Sequence, residues 1–201
     1  MSNTSEEKVI YILGAKGVGK TSLINILLGR DFNENESHSK RGIKISRYQS
    51  DNKNYLLKEL TDDENFSVTR NLKNSLDQLA LILVLFSVDD EKSLEYAETL
   101  ILFIKSNLNL GLRINLIGNK YDSQKNNNTH VTVNLVEAES FANENDIYDY
   151  YISCKNKYNI ESIYKMIEEI YEARYFDKEE SIHEDSVHLG QTQPSGSCGI
   201  F

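Results

Sequence analysis

The chain has one proline, no tryptophan and two cysteines among its 201 residues. Cys154 and Cys198 are too few for a disulfide framework, so the expected setting is a reduced, cytosolic one. Basic charge is also short: the formal net charge of −9 argues against a general nucleic-acid binder, which needs a basic face. It equally opposes simple electrostatic attachment to anionic lipid. No apolar run is long enough to span a bilayer. The polar start Met1-Ser2-Asn3-Thr4-Ser5-Glu6-Glu7 lacks the basic and apolar regions of a signal peptide. His38, His130, His183 and His188 show no metal-ligand spacing and are expected at the surface. There is no internal repeat. The length suits one sizeable core plus a tail.

What is present begins with Gly14-Ala15-Lys16-Gly17-Val18-Gly19-Lys20-Thr21, which fits G-x-x-x-x-G-K-[ST], a loop that cradles nucleotide phosphates. The apolar run Val9 to Leu13 leads in as a strand, and Ser22 to Leu28 leads out as a helix. That context aims the helix N-terminal N–H groups at a phosphate. Gly17 and Gly19 leave room for backbone N–H groups around anionic oxygens. Lys20 can reach β- and γ-phosphates, and the Thr21 hydroxyl can ligate Mg²⁺. The alternative is a glycine-rich turn that happens to end in Lys-Thr.

Further along, Ile43 to Tyr48 and Tyr55 to Leu60 read as extended segments joined by the turn-rich Gln49 to Asn54, a hairpin composition. Asn65 to Leu76 reads as a helix with a thin apolar stripe. Leu79 to Phe86 is a continuous apolar run, suited to a strand covered on both faces. Leu94, Ala97, Ile101, Ile104 and Leu108 form a helical stripe. Leu112 to Gly118 reads as a strand, Val136 to Asn145 as a helix and Tyr150 to Ile152 as a short strand. Ile160, Ile163, Tyr164, Ile167, Ile170 and Tyr171 make the clearest helical face. Alternating strands and helices predict an α/β fold: a doubly wound, mostly parallel six-stranded sheet with helices on both faces and ligands at the strands' carboxyl ends. Residues 1–7 and the acidic tail 176–201 are expected to be disordered, flanking one domain over 8–175.

The phosphate loop does not separate ATP from GTP, but Asn119-Lys120-Tyr121-Asp122 after the Leu112 to Gly118 strand helps. A carboxylate can accept from the guanine N1–H and exocyclic amine; against adenine it meets an acceptor. In isolation N-K-x-D is equally an ordinary polar turn. Ser153-Cys154-Lys155 follows the last strand.

G-x-x-x-x-G-K-T, N-K-x-D and S-C-K, in this order and spacing, resemble the Ras superfamily of small GTPases over roughly residues 8 to 175. Val136 to Ala142 and Asn159-Ile160-Glu161 also resemble the Rab and Rho branches. The absence of room for the long extra Rho helix before Ser153 tilts the resemblance toward Rab-like or an unassigned branch. It implies the P-loop small-GTPase fold, GTP or GDP with Mg²⁺ as ligands, and effectors, an exchange factor and an activating protein as partners. It implies a site of Gly14, Ala15, Lys16, Gly17, Val18, Gly19, Lys20, Thr21 and Ser22 on the phosphates. Asn119 and Asp122 would read the base, Lys120 would pack over it, and Ser153, Cys154 and Lys155 would close the pocket behind it. Phe32 falls where the family places an aromatic residue against the base; the alternative for it is a local hydrophobic anchor.

Departures from the family concern the γ-phosphate. The D-x-x-G motif followed by Gln falls on Thr61-Asp62-Asp63-Glu64-Asn65. Thr61 stands where the family has the Asp that holds Mg²⁺ through water, Glu64 where it has the Gly that meets the γ-phosphate, and Asn65 at the water-orienting position. The first-switch Thr is missing, with Ser39 the nearest candidate metal ligand. Lys16 occupies a position that is Gly in Ras and Rho proteins. Cys198-Gly199-Ile200-Phe201 fits C-a-a-X, a prenylation box whose terminal Phe favours geranylgeranyl, so a prenyltransferase joins the expected partners. No polybasic run supports it, and one lipid chain predicts partial attachment to the cytoplasmic face of a membrane, with the rest cytosolic. Two functions stay open: a cycling switch with slow hydrolysis, and a nucleotide-holding module that does not cycle. A P-loop kinase or ATPase is a distant third.

Overall fold

The computed structural model describes residues 7–34, 42–50, 53–60, 65–108, 113–122 and 133–169, with only the backbone of 65–67. Along the chain come β1 (Lys8–Gly14), α1 (Lys20–Leu27), β2 (Ile43–Ser50), β3 (Lys53–Leu60), α2 (Asn65–Lys73), β4 (Leu79–Ser87), α3 (Glu91–Asn107), β5 (Ile114–Asn119), α4 (Leu135–Glu144), β6 (Tyr148–Tyr151) and α5 (160–169). The six strands form one sheet in the order β2-β3-β1-β4-β5-β6. β2 and β3 are antiparallel; every other pairing is parallel. This is the expected α/β architecture.

The continuous apolar runs are explained by covering on both faces. Successive residues of a strand point to opposite sides. In β1, Val9, Tyr11 and Leu13 enter one core, with Val68 and Leu72 of α2, Ala97 and Ile101 of α3 and Ala138 of α4. Ile10 and Ile12 enter the other, with Leu23 and Leu27 of α1 and Ile163 and Ile167 of α5. Both sides of β1 and β4 are fully buried, as parallel strands between helical layers must be.

Several boundaries differ from expectation. The hairpin ladder continues through Gln49↔Asn54 and Ser50↔Lys53, beyond the expected strand ends. Polar residues are tolerated there because β2 is an edge strand with one face in solvent. α2 stops at Lys73 instead of Leu76. β5 starts at Ile114 and runs through Asn119, so the first residue of N-K-x-D ends a strand rather than opening a loop. β6 starts two residues earlier than expected, at Tyr148. Among the described residues no helix is long and apolar enough to cross a membrane. The four histidines and residues 176–201 lie outside the described residues.

Candidate functional site

Three loops meet beyond the carboxyl ends of β1, β5 and β6. The first leaves β1 at Gly14, whose φ is +133° and where a Cβ would sit 2.2 Å from the Leu85 carbonyl oxygen of β4. Only glycine lets the loop turn this close to the neighbouring strand. The loop ends at Gly19, the N-cap of α1, with φ +99°. α1 has neither a side-chain cap nor an acidic residue in its first turn. Its first N–H groups and positive dipole end are therefore offered to an outside anion. Lys16 and Gly17 are exposed, Ala15 and Ser22 half-buried, and Val18 buried. The Lys20 ammonium folds back over the loop and donates to the carbonyls of Gly14 (2.7 Å) and Ala15 (2.8 Å).

Asn119 ties the loops together. It is buried; its Nδ2 donates to the Val18 carbonyl at 2.9 Å, and its Oδ1 accepts from the Cys154 backbone N–H at 3.2 Å. A Cβ on Gly19 would fall 2.1 Å from that Nδ2. One amide thus fastens the phosphate loop to the loops after β5 and β6. Lys120 adopts a left-handed conformation (φ 62°) and reaches Asp89 at 3.4 Å. Asp122 accepts from the Ser153 hydroxyl at 2.5 Å. Ser153 is fully buried, and its Oγ also accepts from the Asn156 N–H at 3.3 Å, so the Asp122 carboxylate is held in one orientation. Cys154 is buried, while Lys155 is exposed and pairs with Glu34 at 2.9 Å, the contact that raises its pKa. Lys157 pairs with Asp31 at 3.2 Å. These two exposed pairs, each of little energy alone, flank half-buried Phe32, which packs on the α1 side of the core.

Thr21 has an unexpected partner: its hydroxyl donates to Glu59 Oε1 of β3 at 2.6 Å. The Glu59 side chain is buried, and its Oε2 has no hydrogen-bond partner among the described residues. A hydroxyl and a carboxylate are hard oxygen donors of the kind Mg²⁺ takes. Among the described residues no group of three or more His, Cys, Asp or Glu could hold a metal.

Sequence reasoning missed Glu59 and the stack of Tyr121 on Tyr158, with centroids 5.4 Å apart and planes 15° from parallel, under the loop after β5. Glu59 could have been noticed as a carboxylate on the apolar face shared by Tyr55 and Leu57. Ser39, Thr61 to Glu64 and Cys198 lie outside the described residues, as does the Asn65 side chain.

A glycine-rich loop between a buried strand and an uncapped helix, joined by one amide to two further loops, defines a P-loop nucleotide-binding fold. The Ras family model matches residues 8–172, and the chain belongs to the Ras family: it is a small GTPase, built as a guanine-nucleotide-binding switch. A search of curated proteins returns no match.

Proposed function

We propose that this protein binds GDP and GTP with Mg²⁺ and acts as a slowly hydrolysing switch at the cytoplasmic face of a membrane, in vesicle traffic or signalling. The observation that carries the nucleotide assignment is the Asp122–Ser153 pair beside the Asn119 brace. An anchored carboxylate suits the two donors on the guanine edge. Asp122 reads the base, whereas Asn119, already committed to Val18 and Cys154, holds the loops in register. The stem of Lys120 and the Phe32 ring flank the base, and Ser153, Cys154 and Lys155 line its far side. Gly14 to Ser22 take the phosphates, Lys20 placing positive charge near the β- and γ-phosphate oxygens. Bound Mg²⁺ supplies neutralisation of phosphate charge, with Thr21 as its protein ligand. Effectors, an exchange factor and an activating protein are the partner classes this function requires.

Nucleotide competition tests the base assignment. GDP and GTP are expected to displace a fluorescent guanine nucleotide at far lower concentration than ADP or ATP. Asp122→Asn is expected to weaken guanine binding and favour xanthine nucleotides, because an amide donates to the xanthine carbonyl. Equal competition by ATP and GTP would overturn the assignment.

Membrane attachment rests on the sequence motif around Cys198 alone. One prenyl chain beside an acidic tail gives reversible binding. Wild-type protein is therefore expected to divide between membrane and soluble fractions, and Cys198→Ser to become soluble. Mass spectrometry finding an unmodified Cys198 in cells would end this part of the proposal.

A further inference from the structure

The family's Mg²⁺-holding Asp corresponds by sequence to Thr61, a residue whose hydroxyl carries no charge. Two residues earlier stands Glu59, on β3. Glu59 lies level with Ile12 of β1, two residues before the phosphate loop begins. From there its Oε1 accepts a hydrogen bond from the Thr21 hydroxyl at 2.6 Å while the residue remains 2 % exposed.

This arrangement has two chemical consequences. A hydroxyl that ligates a cation must send its proton elsewhere, and an acceptor already in place leaves its lone pairs for the metal. Glu59 Oε1 is that acceptor. The second oxygen, Oε2, is buried without a hydrogen-bond partner among the described residues. A carboxylate oxygen withdrawn from water with no donor is costly. A hydrated divalent cation, which brings both charge and water donors, removes that cost. Mg²⁺ on a nucleotide keeps several waters and is commonly held by one carboxylate besides the phosphates.

On these grounds, and resting on the nucleotide assignment above, we infer that Glu59 replaces the missing Asp: it sets the Thr21 hydroxyl and anchors the water shell of the nucleotide-bound Mg²⁺. The carboxylate function has moved two positions back in sequence, onto β3.

The Mg²⁺ dependence of fluorescent GDP release separates these roles. In wild-type protein, EDTA is expected to accelerate release strongly. Glu59→Gln keeps the shape and still accepts from Thr21, but presents an amide where the cation's water shell needs an anion. The Mg²⁺ concentration that half-slows release should rise about 10- to 100-fold. Affinity for fluorescent GDP in EDTA should stay within about threefold, since the phosphate and base contacts are untouched. Thr61→Ala should behave as wild type, and Glu59→Gln combined with Thr61→Asp should recover much of the Mg²⁺ dependence. Wild-type Mg²⁺ dependence in Glu59→Gln, or its loss in Thr61→Ala, would overturn the inference and leave the nucleotide assignment standing. Failure of wild-type protein to bind fluorescent GDP with or without Mg²⁺ would bring down both. If Glu59→Gln does not fold, Mn²⁺ titration of the GDP complex by electron paramagnetic resonance decides through Thr61→Ala. Unchanged Mn²⁺ affinity supports Glu59, and a loss of about tenfold or more refutes it.

Discussion

Burial pushes the Cys154 thiol up from an ordinary 9.0 to about 12, against the opposing pull of the Asn119 side-chain hydrogen bond. The folded protein therefore keeps this proton at pH values where the unfolded chain has released it. The resulting stability is complete below about pH 9 and is lost as pH climbs toward 12. Cys154→Ala should make the alkaline fall in unfolding free energy shallower, by up to about 1.4 kcal/mol per pH unit. Urea unfolding at intervals between about pH 8 and 11 measures it, and identical slopes would show that this thiol is not buried in solution. The same burial makes Cys154 a poor nucleophile, so its place beside the base loop is one of shape. Asp122 contrasts with it: Ser153 holds the carboxylate without enclosing it.

At the level of elements, α4 offers a clean separation of stability from binding. Its N-cap Asn134 accepts from the Val136 N–H at 3.2 Å and donates to Glu137 at 3.0 Å, a reciprocal arrangement in the first turn. Asn134→Ala should cost about 1 kcal/mol in chemical denaturation while leaving nucleotide affinity unchanged. A large loss of affinity would mean that α4 is coupled to the loop after β6. Elements were legible in the sequence where one local pattern decides them. The Leu79 to Phe86 run and the α3 stripe needed no knowledge of neighbours. The strand limits of β2 and β3 did not follow from composition, because an edge ladder accepts Gln, Ser, Lys and Asn. The phosphate loop and N-K-x-D were legible by spacing. Glu59 shows in the sequence only as a carboxylate on an apolar strand face; its role needed Thr21, 38 residues away in sequence, to be seen 2.6 Å away in space.

For the molecule as a whole, phosphoryl transfer needs an oriented water, bridging Mg²⁺ and positive charge at the developing anion. In the proposed function Lys20 and Thr21 supply the last two. Asn65 replaces a Gln with a side chain one methylene shorter, and Glu64 adds a negative residue where the family has glycine. Intrinsic turnover should therefore lie at or below the family's order of 10⁻⁴ s⁻¹. A single-turnover assay of GTP-loaded protein with Mg²⁺ checks this, and a clearly faster rate would show a working alternative to the family's switch. The Asn119 brace also bears on how the molecule is made. Its bond to Val18 spans 101 residues, and its bond to Cys154 a further 35. On the ribosome the phosphate loop emerges long before either partner, and it has no base pocket until the chain has been synthesised past Cys154. A chain that stops between Asn119 and Cys154 keeps the bond to Val18 but lacks the one that closes the brace.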